Sequence, residues 1–273
     1  MTTSDYLTQL QTDKSNLVTN LETMGITGLT GNETFTELVP EVLNIQTGGN
    51  NNALVDGTKT YNTLYGIRSL ITNIDSLTLN NSTNITNLFQ GCTNLSSITL
   101  FDTSSVTNMQ SMFQNCTSLS SVPLFVTSSV INMQSMFQNC TSLSSVPLFV
   151  TTNLTNMTYM FDGCTSLIEV PAFSTSNVNQ MEMTFKNCTS LTTVPEFDGS
   201  KIRYISNIFQ NCGNLTTTSL DNILKLCIST TSEYRGQKTL TTLGFTSSLY
   251  SSATIQALPH YQDFLDAGWT IGY

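Results

Sequence analysis

The sequence is poor in charge. Lys, Arg, Asp and Glu together make up 10% of 273 residues, and histidine and tryptophan occur once each. The few charges lean acidic, to a formal −9, and five units of that excess lie in residues 1–47, where six acids face Lys14. Leu88 to Asn211 carries six acids and three bases. No cluster of Lys and Arg exists to neutralise phosphates, so nucleic acid is excluded as an expected partner. Long apolar runs are missing too. Nothing approaches the roughly 18–20 residues of a membrane span, so no membrane partner is expected. The opening MTTSDYLTQLQTDK has no basic stretch followed by an apolar core, hence no signal peptide, and the expectation is a chain made and folded in a cytoplasm. Without a secretory route, triplets such as Asn115-Cys116-Thr117 read as composition rather than as glycan sites.

The arrangements that carry catalysis are also lacking. There is no HExxH, GxSxG, Walker A or GxGxxG pattern, and Gly236-Gln237-Lys238-Thr239 is only a scrambled P-loop. His260 follows Pro259 with no Ser or Cys nucleophile in a recognisable setting, so it reads as a surface or packing residue. The expectation is a protein with no enzymatic activity, no cofactor and no metal.

What the chain has instead is a repeat. Cys92, Cys116, Cys140, Cys164, Cys188 and Cys212 recur every 24 residues, and Met112–Ser135 and Met136–Tyr159 are identical through their first sixteen positions. A fixed period of this length marks a solenoid. Counting each unit from its Met-Phe pair, position 2 is Phe (Phe89, Phe113, Phe137, Phe161, Phe185, Phe209), position 8 is Leu, position 11 Ile or Val, and position 14 Phe. Positions 1, 5, 19 and 22 hold Met, Cys, Val and Met in most copies. Eight apolar positions per unit make one buried seam. Metal ligands would lie closer together than a full unit, and stacked equivalent side chains point in parallel, a poor geometry for disulfides. The cysteines therefore read as free buried thiols acting as small apolar residues, and the Met rows as core.

Position 4 alternates between Gly and Asn, the residues that best tolerate positive φ. The spacing of three in Val106, Met109, Met112 and Phe113 predicts a short helix ahead of it. Leu119 to Pro123 predicts a brief strand, shortened by the proline. Each coil is thus expected to hold a strand, a turn and one or two helical turns, an α/β repeat solenoid. Ile67–Asn87 fits as a 21-residue first unit, with Ile71, Ile74, Leu77 and Leu79 in the Cys, Leu, Ile and Leu places. Beyond Cys212 the pattern gives way to a helix-like Leu220–Cys227, a strand-like Thr239–Phe245 and a helix-like Ala253–Ala267.

The unit MFQNCTSLSSVPLF, with its F-x-x-C-x-x-L core, resembles the BspA-like leucine-rich repeats over about Ile67–Leu215. The resemblance implies a right-handed coil with strands lining one curved face. The proline after the second apolar residue, and the Phe two residues beyond it, depart from that pattern. The first 45 residues resemble the leading segment of tail-associated and fibre-like structural proteins of phages from low-GC Gram-positive hosts, and the ending Ala267-Gly268-Trp269-Thr270-Ile271-Gly272-Tyr273 is similar to the close of repeat proteins from that source.

Four segments follow. Residues 1–47 are expected to be a helical attachment or oligomerisation segment, the alternative being an N-terminal cap folded back on the solenoid. Ser4 caps a helix bearing Tyr6, Leu7, Leu10, Leu17, Leu21 and Met24, and Phe35 and Leu38 lie on a second one. Residues 48–63 are a Gly-Asn linker, 64–219 the solenoid, and 220–273 a C-terminal capping module. The expected function is that of a phage virion structural protein, in the tail, a fibre or another surface-attached part. It is made in the host cytoplasm and anchored to other virion proteins by its N-terminal stripe. It forms a homo-oligomer, and its solenoid binds a host cell-surface protein or glycan, or another virion protein. The alternative is a bacterial leucine-rich-repeat adhesin or interaction module. The candidate binding surface is an apolar stripe at positions 13 and 15 (Leu100, Leu124, Leu148; Val126, Val150) with Glu169 and Glu196 beyond it. The drift of position 13 from Leu to Glu beside a constant Phe predicts that this row faces outward.

Overall fold

Successive turns, rather than helices, build the coils. The structure, a computed structural model, describes residues 73, 74, 79, 81–230, 236–246 and 248–272. The expected helical attachment segment 1–47 and linker 48–63 lie outside the described residues. From residue 81 to 216 the chain forms no helix, so the short helix expected over Val106–Phe113 is not there. Met112, Gln114, Cys116 and Leu119 instead donate their amides to the carbonyls three residues back, at 3.0–3.3 Å. A spacing of three is common to a helix and to a run of β-turns, which is why the pattern misleads.

Backbone signs explain the choice. Positions 24 and 4 both have positive φ: Ser111, Ser135, Tyr159 and Met183 lie at 53–58°, and Gly91, Asn115, Asn139, Gly163, Asn187 and Asn211 at 60–78°. Position 4 is left-handed as expected, but it ends a turn. These reversals aim every second amide at the next coil. Met109, Ser111, Phe113 and Asn115 donate to the carbonyls of Asn132, Gln134, Met136 and Gln138 at 2.8–2.9 Å, and the same four bonds recur two coils on, from Met157 to Lys186. Positions 20 and 21 donate the other way, as Ile131 does to Thr107 at 2.9 Å.

A chain of parallel bridges follows this limb, from Asn84 through Asn108, Asn132, Asn156 and Gln180 to Tyr204. The limb expected to be the strand is weaker. It contains β1 (Asn73–Ile74) paired in parallel with β2 (Ser97–Ile98), and one bridge between Glu169 and Thr193. Ile74 pairs with Ile98, an offset of 24, so it takes the eleventh position and not the eighth that a 21-residue unit gives it.

The core is two columns of phenylalanine. Phe113, Phe137 and Phe161 stack with centroids 5.6–5.7 Å apart, and Phe149 of the second column lies 6.4 Å from Phe137. All six repeat cysteines are buried thiols. Each from Cys116 to Cys212 also donates its thiol to the position 2 carbonyl of the coil before, as Cys164 does to Phe137 at 3.0 Å. That carbonyl already accepts the amide three residues on, as Phe137 does from Cys140 at 3.0 Å, so the S–H, a weak donor, fills its second lone pair.

Beyond the coils, α1 (Thr217–Ser229) starts at Thr216, whose hydroxyl accepts from the Ser219 amide, and it buries Leu220, Ile223, Leu224 and Leu226. The segment read as strand-like is a 3₁₀ helix, Leu240–Leu243, whose carbonyls stand in for a further coil: Thr242 and Leu243 accept from the amides of Asn207 and Phe209. Phe245 extends the Phe column, 6.0 Å from Phe209. Ala253–Ala267 divides into α2 (Ser252–Gln256) and α3 (Tyr261–Asp266), with Pro259 between them. Gly244 makes the closing turn at φ 91°, and a Cβ there would fall 2.6 Å from the Gln210 backbone. Gly244→Ala is therefore expected to cost about 2–5 kcal/mol, adding a left-handed penalty to an overpacking one. A lower urea midpoint checks this; an unchanged midpoint would mean that the 3₁₀ helix is not held against the last coil.

Candidate interaction surface

After the turn at Cys116–Leu119 the chain runs extended, and its side chains alternate in and out. Phe125 is buried while Leu124 and Val126 on either side are 57% and 46% exposed. Pro123, Pro147, Pro171 and Pro195 remove an amide from this limb of four coils. Threonine hydroxyls take over the bonding between coils. Thr103, Thr127, Thr151 and Thr175, all buried, donate to the carbonyls of Val126, Val150, Ser174 and Asp198 at 2.9 Å. That row fixes the height at which position 15 of each coil sits, and the sequence reading passed over it.

All seven residues named from the sequence on this face are exposed: Leu100, Leu124, Val126, Leu148, Val150, Glu169 and Glu196. The register brings Leu100, Leu124 and Leu148 into one column and Val126 and Val150 into the next. Ile168, 51% exposed, extends the apolar area and was not foreseen, because it interrupts a row of serines. The anchoring residues Tyr6, Leu7, Leu10, Leu17, Leu21, Phe35 and Leu38 lie outside the described residues.

The carboxylates bordering the stripe are structured. Asp102 accepts from the Ser104 amide at 2.8 Å, and the Ser104 hydroxyl and amide hold its carboxyl below the ordinary carboxylate value. Asp198 accepts from Ser200 at 2.8 Å, and Glu196 meets Lys225 of α1 at 3.0 Å.

On the opposite limb, amides form a ladder that converges on one acid. Gln90, Gln114 and Gln138 each donate to the next residue in the row, ending at Asp162 Oδ2, while Asn187 donates to Asp162 Oδ1 at 3.1 Å. Two donors approaching from opposite sides require an acceptor-only group, and a carboxylate is one. Gly163 beside it leaves room for Asn139, whose Oδ1 would be 2.4 Å from an added Cβ.

In the capping module a cavity of about 410 Å³ is lined by Thr217, Thr218, Thr254, Asp221 and Leu258 among others. Its carboxylate is committed to His260, accepting from the backbone amide at 3.0 Å and meeting Nδ1 at 2.7 Å, which pins α3 to α1. Among the described residues no group of His, Cys, Asp and Glu could hold a metal. No helix there is long and apolar enough to cross a membrane.

Comparison with known proteins adds a family. The model described as "Mycoplasma protein of unknown function, DUF285" matches residues 58–169 and 145–226, together more than half of the chain. No protein of curated function matches. Among solved structures, the leucine-rich-repeat protein of T. pallidum (TpLRR) is similar at 21% identity and a TM-score of 0.40, over 60% of this chain and 84% of its own. A leucine-rich-repeat protein from Bacteroides ovatus is similar at 18% identity and a TM-score of 0.26, over 54% of this chain and 55% of its own.

Proposed function

We propose that this chain, which belongs to the DUF285 family, is a non-enzymatic binding solenoid, a structural component of a phage virion that presents its Leu-Val stripe to a host surface protein or glycan, or to another virion protein. The observation that carries the binding role is the stripe itself: five large apolar side chains held outward in two columns on a rigid stack. Contiguous exposed apolar area of this kind marks an interaction site. The virion setting draws its support from the sequence resemblances at both ends. The N-terminal stripe from Tyr6 to Leu38 serves as the anchor and the basis of self-association, since a short amphipathic helix gains stability by burying its apolar face against other chains.

Purified particles test both parts. Mass spectrometry should find the chain at a fixed copy number. A chain starting at Ala53 should stay folded but fail to incorporate. L124Q/L148Q should incorporate normally and slow adsorption to the host about tenfold, the usual scale for losing a central apolar anchor. Absence of the chain from particles would sink the virion setting in favour of the bacterial adhesin. Normal incorporation together with normal adsorption of L124Q/L148Q would sink the binding role.

A further inference from the structure

We infer that the stripe's occupant is an amphipathic, basic α-helix lying along the solenoid axis; this rests on the reading of the stripe as a binding face. Positions nine to fifteen of the five coils (residues 96–102, 120–126, 144–150, 168–174 and 192–198) hold four carboxylates and no Lys or Arg. The acids occupy the ends of the stripe. Asp102 stands one coil before Val126 in the same column, and Glu196 and Asp198 stand two coils past Leu148 and Val150. Glu169 lies between, next to the exposed Ile168.

Glu196 is taken by Lys225 of α1, so complementarity asks for cationic groups opposite Asp102 at one end of an apolar partner and opposite Asp198 at the other. A second copy of this face is a poor occupant, because it would bring acids to acids. The spacing selects the helix. Coils rise about 4.8 Å, so Leu100, Leu124 and Leu148 are spaced at about that interval. Residues three or four apart on a helix advance about 4.5–6 Å and stay in step with the column. One face of an extended strand repeats every 6.6 Å or so and is out of step by the third contact. From Asp102 to Glu196 is four coils, about 19 Å, or about 13 residues of helix.

The test titrates the full chain with two labelled helical peptides of about 14 residues, sharing one leucine face and carrying either Lys or Glu elsewhere, followed by fluorescence anisotropy. The Lys peptide should bind at least about tenfold more tightly than the Glu peptide and weaken as salt rises. L124Q/L148Q should lose about tenfold for the Lys peptide while keeping the wild-type urea midpoint, both positions being exposed. E169Q/D198N should lose about threefold and flatten the salt dependence. Equal binding of both peptides, still abolished by L124Q/L148Q, would overturn the basic helix and leave the binding face standing. Indifference of both peptides to L124Q/L148Q would overturn both. Sedimentation of the chain with phosphatidylcholine vesicles through the same leucines would replace the helix by a lipid surface and overturn the inference.

Discussion

Phe137→Ala should lower stability by about 3–5 kcal/mol, the penalty for deleting a buried aromatic in a site that cannot collapse. Phe137 has no exposed surface, and its ring touches Phe113, Phe161 and Phe149, so the hole opens in both columns at once. The coils cannot close over it. Their height is fixed by four forward backbone bonds per coil and by the Thr127 and Thr151 hydroxyls on the other limb. Ser145→Ala, in the same coil but exposed, should change stability by less than about 0.5 kcal/mol. Urea midpoints compare the two, and equal shifts would mean that the inner and outer faces have been assigned wrongly.

The second large effect is alkaline. Burial pushes the thiols of Cys140 and Cys212 from 9.0 up to about 12, and those of Cys164 and Cys188 well above the ordinary value, with neighbouring thiols adding to the burial effect. A raised value in the folded state means that the unfolded chain loses its protons first. The stability these neutral thiols contribute is complete below about pH 9, and it drains away as pH climbs toward 12. Each thiol removes roughly 1.4 kcal/mol per pH unit in that window, and several act together. The urea midpoint should therefore be level from pH 7 to 8 and fall steeply above 9. At pH 8 a thiol reagent should leave the six repeat cysteines untouched in the native protein and label all of them after denaturation without reductant. A midpoint that stays level through pH 11, or bridges between coils in non-reducing mass analysis, would overturn the picture of a neutral thiol ladder.

The apolar rows were legible because stacking repeats each position. A residue type that never varies, such as Phe at position 2, must face the same environment in every coil. The outward turn of position 13 was readable from its drift, Leu124 to Glu196 beside an unchanging Phe. The local conformation was not. Met183 and Tyr159 adopt positive φ without any Gly or Asn to announce it, because the forward bonds to Ser206 and Glu182 hold them there. The thiol donors were invisible for a related reason. The carbonyl that accepts from Cys164 belongs to Phe137, a coil away, and comes within the thiol's reach only once the coils are stacked. Ile168 was missed because a single exposed isoleucine among serines carries no periodic signal.

Along the Met-Phe limb four amides per coil point forward while those of positions 20 and 21 point back, and the imbalance gives the stack an electrical sense. In each coil the peptide groups joining positions 21–22, 23–24, 1–2 and 3–4 point their carbonyls toward the first coil and their amides toward the last. Each carries about 3.5 D, and they outnumber the opposed groups at positions 20 and 21, so a partly cancelled dipole remains with its positive pole at the C-terminal end of the coils. The carbonyls of Thr242 and Leu243 stand on that pole. The two ends of the solenoid are therefore not equivalent surfaces.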